Sequence, residues 1–183
     1  MRRALQFFFS ATIVFASIQP LTADLSVGQI YPLKFIDVSG TTLLIADGHV
    51  TIVVLTTPSN LSKPRLVGDR VPDSFLGNPI YRMITVVRFG QHSRPVRALL
   101  AAGARRHLNV EAKRVQPRYD ATKIARNPRS AIFAVADFDG SAISQLNVEP
   151  GGGFRVFIFG RSGKLLAKWN DAPSTEELIR VLK

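Results

Sequence analysis

Residues 154–169 read Phe154-Arg-Val-Phe-Ile-Phe-Gly-Arg-Ser-Gly-Lys-Leu-Leu-Ala-Lys-Trp169. Two apolar runs flank the turn Gly160-Arg-Ser-Gly163, and this pattern predicts a β-hairpin. Pro173-Ser174, followed by Glu176 and Glu177, then predicts the start of a helix, because acidic side chains stabilise the first turn of a helix. The end of the chain is therefore expected to form strand, turn, strand and helix.

Three further runs, 51–55, 83–87 and 132–135, are continuously apolar and rich in β-branched residues. Such runs are typical of strands that are buried on both faces of a sheet. Residues 64–75 separate the first two runs and form a helix candidate, which indicates a right-handed crossover. We predict an α/β fold with five strands, at 51–55, 83–87, 132–135, 155–159 and 165–168.

Residues 93–126 are predicted to be helical, because their apolar side chains recur at steps of mostly three and four. We expect Leu99, Leu108 and Val115 to face inward, and Pro117 to kink or divide this segment. The same segment is unusually basic, and it is treated below as the basic segment.

The chain has 183 residues and no cysteine. A domain of this size can bury enough apolar surface to fold without disulfides. The lack of cysteine excludes thiolate metal sites, thiol nucleophiles and disulfide exchange. Composition therefore favours one self-sufficient globular domain.

The first 23 residues have the pattern of a secretory signal peptide. Arg2 and Arg3 form a positive start, an apolar run follows to Ile18, and Ala23 offers a small residue for cleavage. We predict a signal peptide at 1–23, a domain at 24–183, and a periplasmic or secreted mature protein. The alternative is an uncleaved N-terminal membrane anchor, for which the apolar run is short.

The block 154–182 resembles the C-terminal half of thioredoxin-like and peroxiredoxin-like domains, in which a strand, a hairpin, a second strand and a closing helix recur. Gly48-His-Val-Thr-Ile-Val-Val-Leu55 resembles the strand that enters their active-site loop. The layout is also similar to the cysteine-poor periplasmic YtfJ-type proteins. The resemblance implies a thioredoxin-like three-layer fold with a mixed central sheet, and the basic segment at about 93–126 as a helical insertion.

The chain departs from that family where its redox centre would lie. At the position of the nucleophilic cysteine it carries Thr56, Thr57, Pro58, Ser59 and Asn60, which we treat as a degenerate active-site loop. At the position of the family's cis-proline it carries Phe154. A hydroxyl needs an adjacent base to act as a nucleophile, and none is near in sequence. We therefore assign no catalytic residue and expect no thiol oxidoreductase or peroxidase activity.

Metal and cofactor sites are not indicated either. His49, His92 and His107 have no metal-ligand spacing. Gly163-Lys164 lacks the other residues of a phosphate-binding loop, so it is interpreted as a hairpin turn. We predict no cofactor and no metal.

The formal net charge is +11, and one segment accounts for most of it. Residues 82–129 contain twelve Lys or Arg and only two acids, Glu111 and Asp120, a net of +10. The candidate anion-binding residues on the predicted helices are Arg94, Arg97, Arg105, Arg106, Lys113, Arg114 and Arg118. Such asymmetry indicates an anionic partner, and a solvated surface that favours solubility is the other interpretation. Anionic lipid, a cell-envelope polymer or an acidic protein surface fits an exported protein better than nucleic acid, because aromatic side chains for base stacking are lacking.

The sequence thus predicts an exported thioredoxin-fold protein without a redox centre. Its expected role is that of a non-catalytic binding or accessory module of the cell envelope that engages an anionic partner through residues 82–129. The alternative is a thiol-independent enzyme that uses the degenerate loop.

Overall fold

The computed structural model describes residues 24–149 and 151–183, which are arranged around a five-stranded mixed sheet. The sheet strands are β3 (Val50–Thr56), β4 (Tyr81–Arg88), β5 (Ile132–Asp137), β6 (Arg155–Phe159) and β7 (Leu165–Trp169), and a separate hairpin pairs β1 (Lys34–Ile36) with β2 (Thr42–Leu44). The helices are α1 (Ser62–Arg70), α2 (Arg94–Ala121), α3 (Ser141–Gln145) and α4 (Thr175–Leu182). All five predicted strands are confirmed, with ends that differ by no more than two residues.

The strand order is β5-β4-β3-β6-β7. β3, β4 and β5 are parallel, whereas β6 runs antiparallel to β3 and β7 antiparallel to β6. β3 occupies the centre because all of its residues after Val50 are buried, which only an apolar and β-branched run tolerates. α1 connects β3 to β4, and α2 connects β4 to β5. The basic helix α2 is therefore one of the two crossovers between the parallel strands.

Alternate residues of the strands enter two different cores. Val53 and Leu55 of β3 lie in a cluster with Ile84 and Phe157, which the β1-β2 hairpin and α3 cover. Ile52 and Val54 face the opposite way, where Val67 of α1 and Leu178 of α4 cover them. The sheet is therefore the middle of three layers.

The start of α4 confirms the prediction from its acidic first turn. The hydroxyl of Ser174 accepts a hydrogen bond from the Glu177 backbone N–H at 3.2 Å, and the Glu177 carboxylate accepts one from the Ser174 N–H at 2.7 Å. This reciprocal cap satisfies two backbone donors that a helix start leaves unpaired. Leu178 and Leu182 then dock against the sheet.

α2 differs from its prediction in two respects. It is one helix of 28 residues, so Pro117 does not divide it, although the proline removes one backbone hydrogen bond. Leu108, Ala112 and Tyr119 are its buried residues. The expected inward orientation of Leu99 is wrong, because 73% of its surface is exposed.

No helix within residues 24–149 and 151–183 is both long and apolar enough to cross a membrane. The predicted signal peptide, residues 1–23, lies outside the described residues.

Candidate functional site

The degenerate loop follows β3 and leads into α1. Thr56 is buried and its hydroxyl donates to the carbonyl of Asn60 at 3.1 Å. The hydroxyls of Thr57 and Ser59 lie 2.9 Å apart, and the Asn60 backbone N–H donates to the Thr57 carbonyl at 3.0 Å. Pro58 begins a short 3-10 turn between these residues. The polar groups of the loop thus bond chiefly to one another.

Phe154, the remaining residue assigned to the degenerate centre, lies on the same side of the sheet as α1. Its ring is buried just before β6, in the cluster that also contains Val67 of α1. The ammonium of Lys63, at the start of α1, stands 5.2 Å from the centre of the Phe154 ring. The contact between Lys63 and Phe154 thus joins the start of α1, three residues after Asn60, to the residue that precedes β6.

Within the described residues, no carboxylate or imidazole makes a hydrogen bond to the hydroxyls of the loop. A threonine or serine hydroxyl without a base is a poor nucleophile. The same part of the chain contains no group of three or more His, Asp or Glu that could hold a metal ion. The loop geometry therefore gives no support to the alternative of a thiol-independent enzyme.

An apolar groove of about 500 Å³ opens beside the loop, between α1 and α2. Among the five loop residues, Pro58 is the one that contributes to its lining. The floor of the groove is the sheet, and its walls are the two helices. The sequence did not predict this groove, because it depends on how two helices pack and not on any local pattern.

Three ion pairs join α1 and the turn that follows it to α2. Arg65 of α1 donates to the Glu111 carboxylate of α2 through Nε at 3.0 Å and also through Nη2. Arg114 of α2 pairs with Asp69 of α1 at 2.8 Å, and Arg118 pairs with Asp73 at 2.6 Å. Burial alone would raise the pKa of Glu111, but hydrogen bonds from Arg65 and Arg114 outweigh it and hold that pKa below its ordinary value.

Four of the seven candidate anion-binding residues are engaged within the domain. Arg97 donates to the His92 carbonyl and lies 5.5 Å from the ring of Phe138, and Arg105 donates to the Val38 carbonyl at 2.8 Å. Arg114 and Arg118 form the ion pairs described above. These contacts hold α2 against its neighbours.

The other three candidates, Arg94, Arg106 and Lys113, are exposed. They make no hydrogen bond or ion pair with any residue that the structure describes. Arg106 and Lys113 belong to a row on α2 that we call the outer stripe, whose members are all exposed: Val96, Leu99, Gly103, Arg106, Val110, Lys113 and Pro117. Steps of three and four place these residues on one side of the helix, and none of them is acidic.

We find no family model and no curated protein that matches the sequence. Solved structures do match. A DsbF homologue from Corynebacterium diphtheriae has a TM-score of 0.51 at 10% identity, over 94% of this chain and 98% of that chain. The thioredoxin domain of a thiol-disulfide oxidoreductase from Bacteroides vulgatus has a TM-score of 0.50 at 11% identity, over 86% of this chain and 96% of that one.

The fold is thioredoxin-like. The fold class predicted from the sequence is thus confirmed, and identities this low show the fold alone. The thioredoxin-like fold is here combined with a chain that contains no cysteine. The closer resemblance to YtfJ-type proteins stays a prediction.

Proposed function

We propose that this chain is an exported, non-catalytic thioredoxin-fold module that binds an anionic lipid surface through the outer stripe of α2. The observation that carries the proposal is the composition of that stripe. It presents Arg106 and Lys113 without intramolecular partners in the described structure, with Arg94 at the same end of the helix as Val96. Three cations on one helix attract an anionic surface at long range.

The apolar members of the stripe favour lipid over the other anionic partners. Val96, Leu99 and Val110 are 40%, 73% and 53% exposed, and they lie on the same stripe as Arg106 and Lys113. A polysaccharide offers no apolar layer to receive them, whereas a lipid surface offers a continuous one. At a membrane surface, exposed apolar side chains enter the headgroup boundary while neighbouring Lys and Arg side chains contact anionic headgroups.

The absence of cysteine supports a binding role over the redox role of the thioredoxin fold. No thiolate can form anywhere in the chain. The loop that would carry the thiols is occupied by hydroxyl groups that bond to one another.

Vesicle co-sedimentation tests the proposal. The protein is mixed with vesicles that contain phosphatidylglycerol and with vesicles of phosphatidylcholine alone. Each Lys or Arg near an anionic membrane contributes about 1 kcal/mol, so the triple variant Arg94→Gln, Arg106→Gln, Lys113→Gln is expected to bind the anionic vesicles roughly a hundredfold more weakly. Binding should also fall as salt is raised, because exposed charges are screened over about 8 Å at physiological ionic strength.

The matched control removes the same charge elsewhere, with Arg161→Gln, Lys164→Gln and Lys183→Gln, which are exposed and lie outside α2. The control variant should bind the anionic vesicles more tightly than the stripe variant. The difference should be most of the roughly hundredfold loss expected for the stripe variant. Equal losses in the two variants would show that net charge, and not the outer stripe, governs binding. Equal binding to neutral vesicles would contradict the proposal.

Export rests on the N-terminal pattern and is tested separately. Expression of the full chain followed by mass spectrometry of the mature protein should show a first residue close to Asp24. A mature protein that retains Met1 and the apolar run would contradict a cleaved signal peptide.

A further inference from the structure

The groove between α1 and α2 has a floor formed by one face of the sheet. Met83, Thr85 and Val87 of β4 and Ile132 and Ala134 of β5 point to this side of the sheet. The cavity measures about 500 Å³, which lies within the range of roughly 300–1,000 Å³ that small-molecule sites occupy. It is therefore large enough for a ligand and is not a packing defect of the size of one side chain.

Two features keep the helices apart over this floor. The side chains that connect α1 to α2 are long and charged, as in the Arg65–Glu111 and Arg114–Asp69 pairs. The residues that face the groove beneath them include Gly68 on α1 and Gly103 and Ala104 on α2, which have little or no side chain to fill it. The ion pairs thus bridge the helices while the space below them stays open.

The groove is apolar except at one end. Its charged and titratable side chains are Arg65, His107, Glu111 and Arg114, all beside the bridge between the helices. Arg65 and Arg114 direct their guanidinium groups to Glu111 and Asp69, so their charges are already compensated. An apolar cavity without polar partners holds water poorly and accepts apolar ligands.

The lip of the groove belongs to the outer stripe. Leu99 and Gly103 contribute to the lining of the groove and are also members of that stripe. Arg106 follows Gly103 by one turn of the helix and has no partner among the described residues. Arg106 therefore lies one helical turn from a residue at the lip of an apolar cavity.

We propose that this groove binds a free long-chain fatty acid, with its acyl chain over β4 and β5 and its carboxylate at the lip beside Arg106. Charge complementarity selects this ligand, because an apolar cavity next to one free cation matches an apolar chain with one anionic end. The site goes beyond the binding of α2 to a lipid surface, because it takes a single free ligand into the domain, and it shares Arg106 with the outer stripe.

Titration calorimetry with octanoate, decanoate, dodecanoate and tetradecanoate, each below its micelle concentration, tests the groove. Each CH₂ group that enters an apolar site strengthens binding roughly fourfold. The Kd should fall by that factor per carbon and then level off when the groove is full. Dodecanol should bind more weakly than dodecanoate, and Arg106→Gln should remove most of that difference.

Two variants fill the groove from opposite walls. A Cβ atom at Gly103 would meet no heavy atom within 4 Å, and one at Gly68 would make an ordinary contact of 3.8 Å with Met83. Gly103→Leu and Gly68→Leu should therefore fold and weaken dodecanoate binding at least tenfold. Ala102→Leu is the control, because it adds similar bulk at an exposed neighbouring position that does not line the groove. This variant should bind dodecanoate as tightly as the wild type does.

The outcomes separate this site from the lipid-surface proposal. A Gly68→Leu protein that melts like the wild type should still bind phosphatidylglycerol vesicles normally, because Gly68 lies on α1 and outside the outer stripe. Dodecanoate affinity that is unchanged in both variants, or that rises with chain length without levelling off, would overturn the fatty-acid site. A loss of vesicle binding in the Gly68→Leu variant would also overturn it, because the groove would then hold a phospholipid chain.

Discussion

Arg82 on β4 forms a bidentate ion pair with Asp47 in the turn between β2 and β3. Nη1 lies 2.9 Å from Oδ2 and Nη2 lies 2.9 Å from Oδ1. Only 6% of the Arg82 side chain is exposed, and its Nε donates to the hydroxyl of Thr51 at 2.9 Å. The pair thus connects a surface turn to the two central parallel strands.

Asp47→Asn should lower the free energy of unfolding by about 2–3 kcal/mol, because it leaves the buried guanidinium without a charged partner. This loss of stability is at the low end of what breaking a buried ion pair costs, since 26% of the Asp47 side chain is exposed. Urea denaturation provides the measurement. The control is Asp171→Asn, which breaks the exposed Lys63–Asp171 pair and should leave the midpoint unchanged. If the two substitutions lowered the free energy of unfolding equally, the burial of Arg82 would not be what makes its ion pair stabilising.

This ion pair also shows how far the charge pattern could be interpreted from the sequence. Residues 82–129 have a net charge of +10, and that count suggested an uncompensated basic surface. In the folded chain, three acids from outside the segment pair with it: Asp47 with Arg82, Asp69 with Arg114, and Asp73 with Arg118. Such pairs depend on tertiary contacts between distant residues, so the sequence identified residues 82–129 as basic but not which of their cations remain unpaired.

Glu111→Gln should reveal a pH-dependent contribution of the bridge between α1 and α2. The pKa of Glu111 is held below its ordinary value of 4.5 in the folded protein, where Arg65 and Arg114 outweigh the effect of burial. A carboxyl group whose pKa is lower in the folded state stabilises that state above its unfolded pKa, and this contribution is lost as the pH falls through the folded pKa. The wild type should therefore be more stable than the variant at neutral pH, and the difference should shrink below pH 4.5.

Urea midpoints of the two proteins across that pH range provide the measurement. Glu149→Gln is the control, because Glu149 is exposed and lies outside this network. A stability difference between wild type and Glu111→Gln that stays constant down to the lowest pH would contradict the assigned ionisation.

The strands were predictable because they are long, continuous apolar runs, and β3 is an example in which nearly every residue is buried. The hairpin of β6 and β7 was predictable from Gly160-Arg-Ser-Gly163, where Gly163 adopts a φ of 79° that other residues rarely take. α3 was not predicted, since a helix of five residues is too short to show a periodic pattern. Its start depends on Asp137, which accepts hydrogen bonds from the backbone N–H groups of Gly140 and Ile143.

Thiol chemistry gives a simple test of the degenerate centre. The protein should reduce no insulin and consume no peroxide above the rate in buffer, because it has no cysteine that could form a thiolate. A cysteine-containing thioredoxin measured in parallel shows that each assay works. Turnover by this chain in either assay would mean that the Thr56–Asn60 loop supports chemistry that its hydrogen bonds do not indicate.

The orientation of α2 explains why Leu99 was wrongly expected to face inward. The helix carries two apolar rows: Leu108, Ala112 and Tyr119 are buried, while Val96, Leu99 and Val110 are exposed. Spacings of three and four residues occur within each row and also between the two rows. Periodicity alone therefore assigned Leu99 to the same face as Leu108. Only the packing of Leu108 on Ala134 of β5 separates the two rows.

Matched substitutions on α2 test this orientation. Leu108→Ala should lower the free energy of unfolding by about 2–4 kcal/mol, because it leaves a cavity where a side chain that is 6% exposed packs on β5. Leu99→Ala should change it by less than about 0.5 kcal/mol, because 73% of Leu99 is already in water. Urea denaturation measures both. The same Leu99→Ala protein should bind phosphatidylglycerol vesicles more weakly, because it loses an apolar contact with the lipid. If Leu99→Ala were as destabilising as Leu108→Ala, α2 would be rotated, and the stripe proposed to meet the lipid would face the core.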